Sequence, residues 1–95
     1  MFARLTRFQM IPDKIDEAIR VYREADMPET RSGKGYCGAL LLVDRKTGKG
    51  KSIILWEDEK DAVADQNLYM KQVNRYRETL AAPPVREGYD VAFKE

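Results

Sequence analysis

The chain has 95 residues, 17 basic and 16 acidic, for a net charge of +1, with one cysteine and no histidine. That length predicts one domain, residues 1–95, with a thin core that buries about 60–65% of the unfolded-chain surface, and the balanced charge exerts no general pull on nucleic acid or an anionic membrane. Without histidine the chain cannot build a Ser-His-Asp or Cys-His relay, a His-based zinc or iron site, or a proximal-His haem site. General base chemistry falls to carboxylates, Lys, Tyr or bound water. The lone cysteine cannot form an internal disulfide, and no apolar run reaches the roughly 20 residues of a membrane span. No signal peptide is evident in MFARLTRFQM, so a cytoplasmic protein with reduced Cys37 is expected.

Residues 2–10 read as a strand with imperfect alternation. Ile11-Pro12-Asp13 breaks it, and Asp13 can cap a helix, with Asp16 as the weaker capping-box acid. Ile15, Ala18, Ile19, Tyr22 and Ala25 then recur at helical spacing, and the helix is expected to end near Met27, before Pro28. PETRSGKG is loop composition. Residues 36–44 (YCGALLLVD) form a second strand, RKTGKG a turn, and residues 51–56 (KSIILW) a third strand. Asp58 caps a second helix, along which Ala62, Gln66, Tyr69, Val73, Tyr76 and Leu80 share a face. Ala81-Ala82-Pro83-Pro84 stops it, and residues 85–93 are a last strand. The order is β-α-β-β-α-β, the ferredoxin-like α+β order, with an antiparallel sheet and both helices on one face.

The hairpin decides which residues share a face. With a four-residue loop, residues 45–48, and Gly48 left-handed, Ala39 opposes Ile54, Cys37 opposes Trp56 and Leu40 opposes Ile53. One face then carries Cys37, Ala39, Leu41, Val43, Ile54 and Trp56, and the other Tyr36, Leu40, Leu42, Ile53 and Leu55. Both are apolar, yet two helices cover only one. The remaining patch exceeds what a soluble monomer usually exposes, so a homodimer through the sheet face is expected, the alternative being loop side chains folded over it.

GYCGALLLVDRKTGKGKSIILWEDEKDA and MIPDKIDEAIRVYRE resemble the antibiotic biosynthesis monooxygenase family of dimeric α+β barrel proteins. The resemblance spans nearly the whole chain and rests on the small-residue strand, the glycine turn and the strand that ends in Trp-acid before the second helix. It implies two sheets face to face in a homodimer, with a cleft in each protomer between its sheet and the second-helix region. It also implies a possible activity, cofactor-free oxidation of phenolic or quinol compounds in which the substrate itself reduces O₂. The family tryptophan corresponds to Trp56. Ser52 stands where monooxygenase members carry an Asn, Ala62 and Val63 stand near their Tyr, and Gln66 stands about where haem degraders need a His. The resemblance therefore implies no haem degradation and no cofactor.

The cleft candidates are Trp56, Ser52, Ile54, Tyr69, Tyr76, Arg7 and Gln9, with Arg75 and Arg77 as further charge partners. Trp56 can stack on a flat aromatic ligand or serve as a core or dimer-interface aromatic. Arg4, Arg7 and Gln9 are polar residues in a central strand; they hold an acidic ligand oxygen if they face the cleft and only solvate the periphery if they do not. TGKGKS imitates a phosphate loop, but Arg45 replaces the required first glycine and the loop opens a strand, not a helix. Lys34-Gly35-Tyr36 starts an RNA-recognition signature that the following residues do not continue. Cys37 is expected to be buried as a packing residue. A small-molecule-binding homodimer is thus the leading reading; a non-catalytic structural protein and a weak RNA-binding module are the alternatives.

Overall fold

A computed structural model describes residues 1–64 and 66–95. Strands β1 (Phe2–Gln9), β2 (Tyr36–Val43), β3 (Lys49–Trp56) and β4 (Val85–Asp90) form one antiparallel sheet in the order β2-β3-β1-β4. The helical segments pack on one face. The first region runs through a 3-10 turn (Pro12–Lys14), α1 (Ile15–Val21), a π-helical turn (Tyr22–Asp26) and α2 (Met27–Arg31). The second comprises α3 (Glu59–Ala64), α4 (Gln66–Val73) and a 3-10 turn (Asn74–Tyr76). The ferredoxin-like α+β order and the one-sided helices match the sequence expectation.

The barrel does not. The sheet is open, with β2 and β4 as its two edges. Closure requires strand tilt and stagger that bring the edges together; here the four strands form a layer whose one face is filled by helices, and the edges lie apart.

The hairpin expectation holds in its turn and fails at its far end. Asp44 and Lys49 close a loop of residues 45–48, with Gly48 at φ 80°, and Ala39 pairs with Ile54 and Leu40 with Ile53. Between Tyr36 and Gly38 the ladder shifts by a β-bulge, so Tyr36, not Cys37, opposes Trp56. The extra residue reverses the alternation at that point. Tyr36 turns to the helix side, its ring edge-on to Trp56 at 6.2 Å and 83°, and Cys37 is exposed.

The first helical region also runs past its expected stop. The widened turn at Tyr22–Asp26, in which Met27 N–H donates to the Tyr22 carbonyl, places Pro28 in the first turn of a renewed helix. A missing N–H is tolerated there. In the second region residue 65 lies outside the described residues, and the helix gives way to a 3-10 turn at Asn74 rather than continuing to Leu80.

Two clusters form the core. Phe2, Trp56 and Ala62, with Tyr36 and Ile54 against them, pack one end; Met10, Ile15 and Ala18, flanked by Phe8, Val43 and Leu80, pack the other. Trp56 is 2% exposed. Truncating so buried an aromatic removes both its transfer energy and its packing. Trp56→Ala should lower the unfolding free energy by about 3–5 kcal/mol in urea denaturation; a loss below about 1 kcal/mol would show that the indole is not a core element.

Candidate functional site

Between the two core clusters the sheet and the helical layer leave a cavity of about 90 Å³. Its floor is the helix-facing row of the central strands: Arg4, Thr6 and Phe8 from β1, with Ser52 and Ile54 from β3. The register explains the set, since Arg4 opposes Ile54 and Thr6 opposes Ser52. The roof is helical. The π-helical turn contributes Tyr22 and Asp26, and the second region contributes Tyr69, Gln72 and Tyr76.

A polar tie joins the two helical regions along one side of this cavity. Arg75 donates to Asp26 Oδ1 at 2.6 Å and to both Glu29 oxygens at 2.7 and 2.9 Å. The Tyr76 hydroxyl donates to Asp26 Oδ2. Gln72 Nε2 donates to the Asp26 carbonyl at 3.2 Å and to Thr30 Oγ1 at 3.1 Å, and Lys71 reaches Glu29 at 3.1 Å. Tyr22 of the roof and Ser52 of the floor share a 2.8 Å hydroxyl bond.

Burial and charge set the protonation states. Burial raises the Asp26 carboxyl above the usual carboxylate range, against the lowering effect of Tyr76 and Arg75. Hydrogen bonds from Arg75 and Lys71 hold Glu29 down at about 2. Burial raises Tyr22, and burial together with Asp26 raises Tyr76. Burial also raises Tyr69, with Arg86 and Arg4 acting in the other direction. The tyrosines are therefore neutral hydroxyl donors, and Asp26 is the candidate base of the site.

Of the sequence candidates, Ser52, Ile54, Tyr69 and Tyr76 line the cavity. Trp56 lies beyond its end in the Phe2 cluster, its indole N–H buried without an acceptor. Arg7 and Gln9 belong to the other face: Arg7 pairs with Glu87, and Gln9 caps the hairpin by donating to the Thr47 carbonyl at 2.6 Å. Arg75 acts through Asp26 and Glu29. Of the three first-strand polar residues only Arg4 faces the cavity, and the residues that the sequence did not single out are Tyr22, Asp26 and Gln72. A signal existed for two of them, because Tyr22 and Asp26 stand four apart on the helix; their common cavity depends on the π-helical turn, which spacing alone does not show. Among the described residues no group of three His, Cys, Asp or Glu side chains is arranged to hold a metal ion, and no helix is long and apolar enough to cross a membrane.

Known proteins share this fold. An antibiotic biosynthesis monooxygenase superposes with a TM-score of 0.77 at 20% identity, covering 97% of this chain and 99% of that one. Rv0793 from Mycobacterium tuberculosis superposes with a TM-score of 0.76 at 18% identity over 98% and 96%. A monooxygenase from the gene ActVA-Orf6 of Streptomyces coelicolor, in complex with the ligand Nanaomycin D, reaches 0.78 at 12% identity over 99% and 89%. These likenesses establish the monooxygenase-like fold, without the closed barrel. In sequence, the uncharacterised protein Rv2557 of Mycobacterium tuberculosis strain H37Rv is 28% identical over 92 residues, 97% of this chain. The chain spans 41% of that relative's length. No family model matches the chain.

The two acids of the tie respond oppositely to pH. Glu29 keeps its charge in the folded chain where the unfolded chain takes up a proton, so its contribution is full above about 4.5 and is lost as pH falls toward about 2. Asp26, shifted upward, instead costs stability as pH rises through its folded value. Glu29→Gln should be less stable than wild type at pH 6, with the difference shrinking steadily toward pH 2 in urea midpoints. A difference that is constant over that range would remove Glu29 from the acid response.

Proposed function

We propose that this chain is a small-molecule-binding homodimer that oxidises a compact phenolic or quinol compound with O₂ and without a cofactor. The observation that carries the reading is the cavity under the helices, in which an apolar slot is combined with a carboxylate of raised pKa, neutral hydroxyl donors and arginine. Oxidation of a phenol asks for those parts: walls for the ring, an acceptor for the hydroxyl proton and cations or donors for the oxyanion. The electrons balance without an added reductant. A phenol with a free para position and one O₂ yield a quinone and one water; the phenol loses four electrons and O₂ gains them. Asp26 takes the hydroxyl proton, and Tyr22, Tyr76 and Ser52 orient the ring oxygen. Trp56, outside the lining, supports the floor from its core position. The shared fold with a ligand-bound monooxygenase supports the reading. A cavity of about 90 Å³ is smaller than the roughly 150 Å³ that holds benzene, so side chains of the roof move aside when the ring is admitted.

The open sheet face supports the dimer. Leu40 and Leu42 are 58% and 47% exposed and Tyr89 is 52% exposed. Pairing sets them beside half-buried Leu5, Ile53 and Leu55 in one continuous patch. A second copy, apolar over the same area, is the simplest cover.

An oxygen electrode with a panel of simple phenols and quinols tests the activity. Wild type should consume one O₂ per phenol, and Asp26→Asn should slow turnover by about 10²-fold or more. An absence of uptake across the panel would leave a binding protein without turnover, and equal rates in the two proteins would remove Asp26 as the base. Sedimentation should show a dimer at micromolar concentration that dissociates in the double variant Leu40→Glu, Leu42→Glu; a wild-type monomer would overturn the assembly.

A further inference from the structure

We propose that Arg4 anchors an anion subsite at the β4 end of the cavity, taking the carboxylate of a small organic acid. This deepens the proposed function by naming a ligand class for the same cavity, but it requires no turnover. Arg4 is a cation on a central strand, opposite Ile54 of β3 and Gly88 of β4, and it faces the cavity under the helices. Its Nε is buried without a hydrogen-bond acceptor, and no carboxylate among the described residues pairs with it. Among the described residues, Asp26 and Glu29 are committed to Arg75, and Glu87 to Arg7 on the other face of the sheet.

The guanidinium is nevertheless held in place. It lies 5.6 Å from the centre of the Phe2 ring, and both pass over Gly88, where an added Cβ would come within 2.6 Å of Phe2 Cζ and 3.2 Å of Arg4 Nη1. Across from it stands Tyr69, a hydroxyl donor under the field of Arg4 and Arg86. Arg86 stacks 3.7 Å over the Tyr69 ring and donates to Gln66 at 3.2 Å, which keeps that ring fixed. A buried donor left unsatisfied is unfavourable, and a charged one more so. A carboxylate supplies the missing acceptor, because its two oxygens match the guanidinium fork. It arrives already ionised at neutral pH and asks no proton transfer of the protein. A neutral isostere leaves the same Nε unsatisfied. The volume sets the size: about 90 Å³ is the liquid share of roughly three waters, so a short-chain acid fits as the cavity stands and a monocyclic one enters as the roof side chains move aside.

The test is calorimetric titration of acetate and benzoate against their neutral counterparts, acetamide and benzamide. Wild type should bind each acid at least tenfold more tightly than its amide. Arg4→Met should lose that preference, Arg4→Lys should keep part of it, and Gly88→Ala should weaken the acids several-fold without affecting the amides. Thermal melting supplies a second readout. Benzoate should raise the Tm of wild type and not of Arg4→Met, and ligand-free Arg4→Met should melt at or above wild type, since it loses an unpaired cation. Should Arg4→Met fail to fold, Arg4→Lys and Arg4→Gln decide the preference. The proposal is overturned by equal affinity for acid and amide, by undiminished acid binding in Arg4→Met or Gly88→Ala, or by no binding of either acid. Phenol oxidation without carboxylate preference would remove the subsite and leave the activity; carboxylate binding without oxygen uptake would do the reverse.

Discussion

The structure depends on Arg75. Its guanidinium, arriving from the end of the second helical region, holds Asp26 and Glu29 of the first. The first region packs on the Met10 cluster, and the second reaches both that cluster through Tyr76 and the Trp56 cluster through Ala62. Such a tie is strong for a physical reason: a planar fork engages two carboxylates at once, in surroundings less polar than water. Removing it would leave Asp26 without its charge partner beside a half-filled space, so the roof of the cavity and the protonation of its carboxylate rest on the same residue.

The polar character of the cavity follows from how the gap is bridged. An apolar filling of the same space would have added core, as large side chains do elsewhere in this sheet. Instead Tyr22, Asp26, Gln72 and Tyr76 enter from the roof, while Thr6, Ser52 and Arg4 rise from the floor. Placing hydroxyls and charges inside so small a domain sacrifices stability, a pattern that recurs where proteins carry sites. The π-helical turn belongs to the same device. By widening the helix at Tyr22–Asp26 it turns two polar residues toward one space and lets the chain pass Pro28 without losing helical direction.

Much of this architecture was legible in the residues. The order of elements follows from apolar periodicity and from the breaks at Pro12, Gly48 and Pro83-Pro84. Gly48 and the apolar runs on either side define the hairpin, and the pairing of Ala39 with Ile54 follows by counting. The lining of the cavity was legible in part. Ser52 and Ile54 lie on the floor because alternation along β3 is regular, and Tyr69 and Tyr76 lie on the roof because they share a helical face. Cys37 departs from its expected place because a bulge adds one residue to β2, and a single added residue exchanges inside for outside. Arg7 and Gln9 lie away from the cavity because β1 has apolar residues on both faces, so its orientation is not encoded in its own pattern.

The sequence by itself determined the element order, the hairpin and the presence of more apolar sheet than two helices can cover, because each of these depends on local spacing and on total apolar surface. Only the tertiary structure decided which face of β1 looks inward, that the sheet stays open, and that Arg4, not Arg7, stands beneath the helices. Those outcomes depend on pairing between strands distant in sequence, where one register out of several satisfies both the ladder and the core. They also decided the place of Trp56, which the chain's own helices cover and which packs against Phe2 and Ala62.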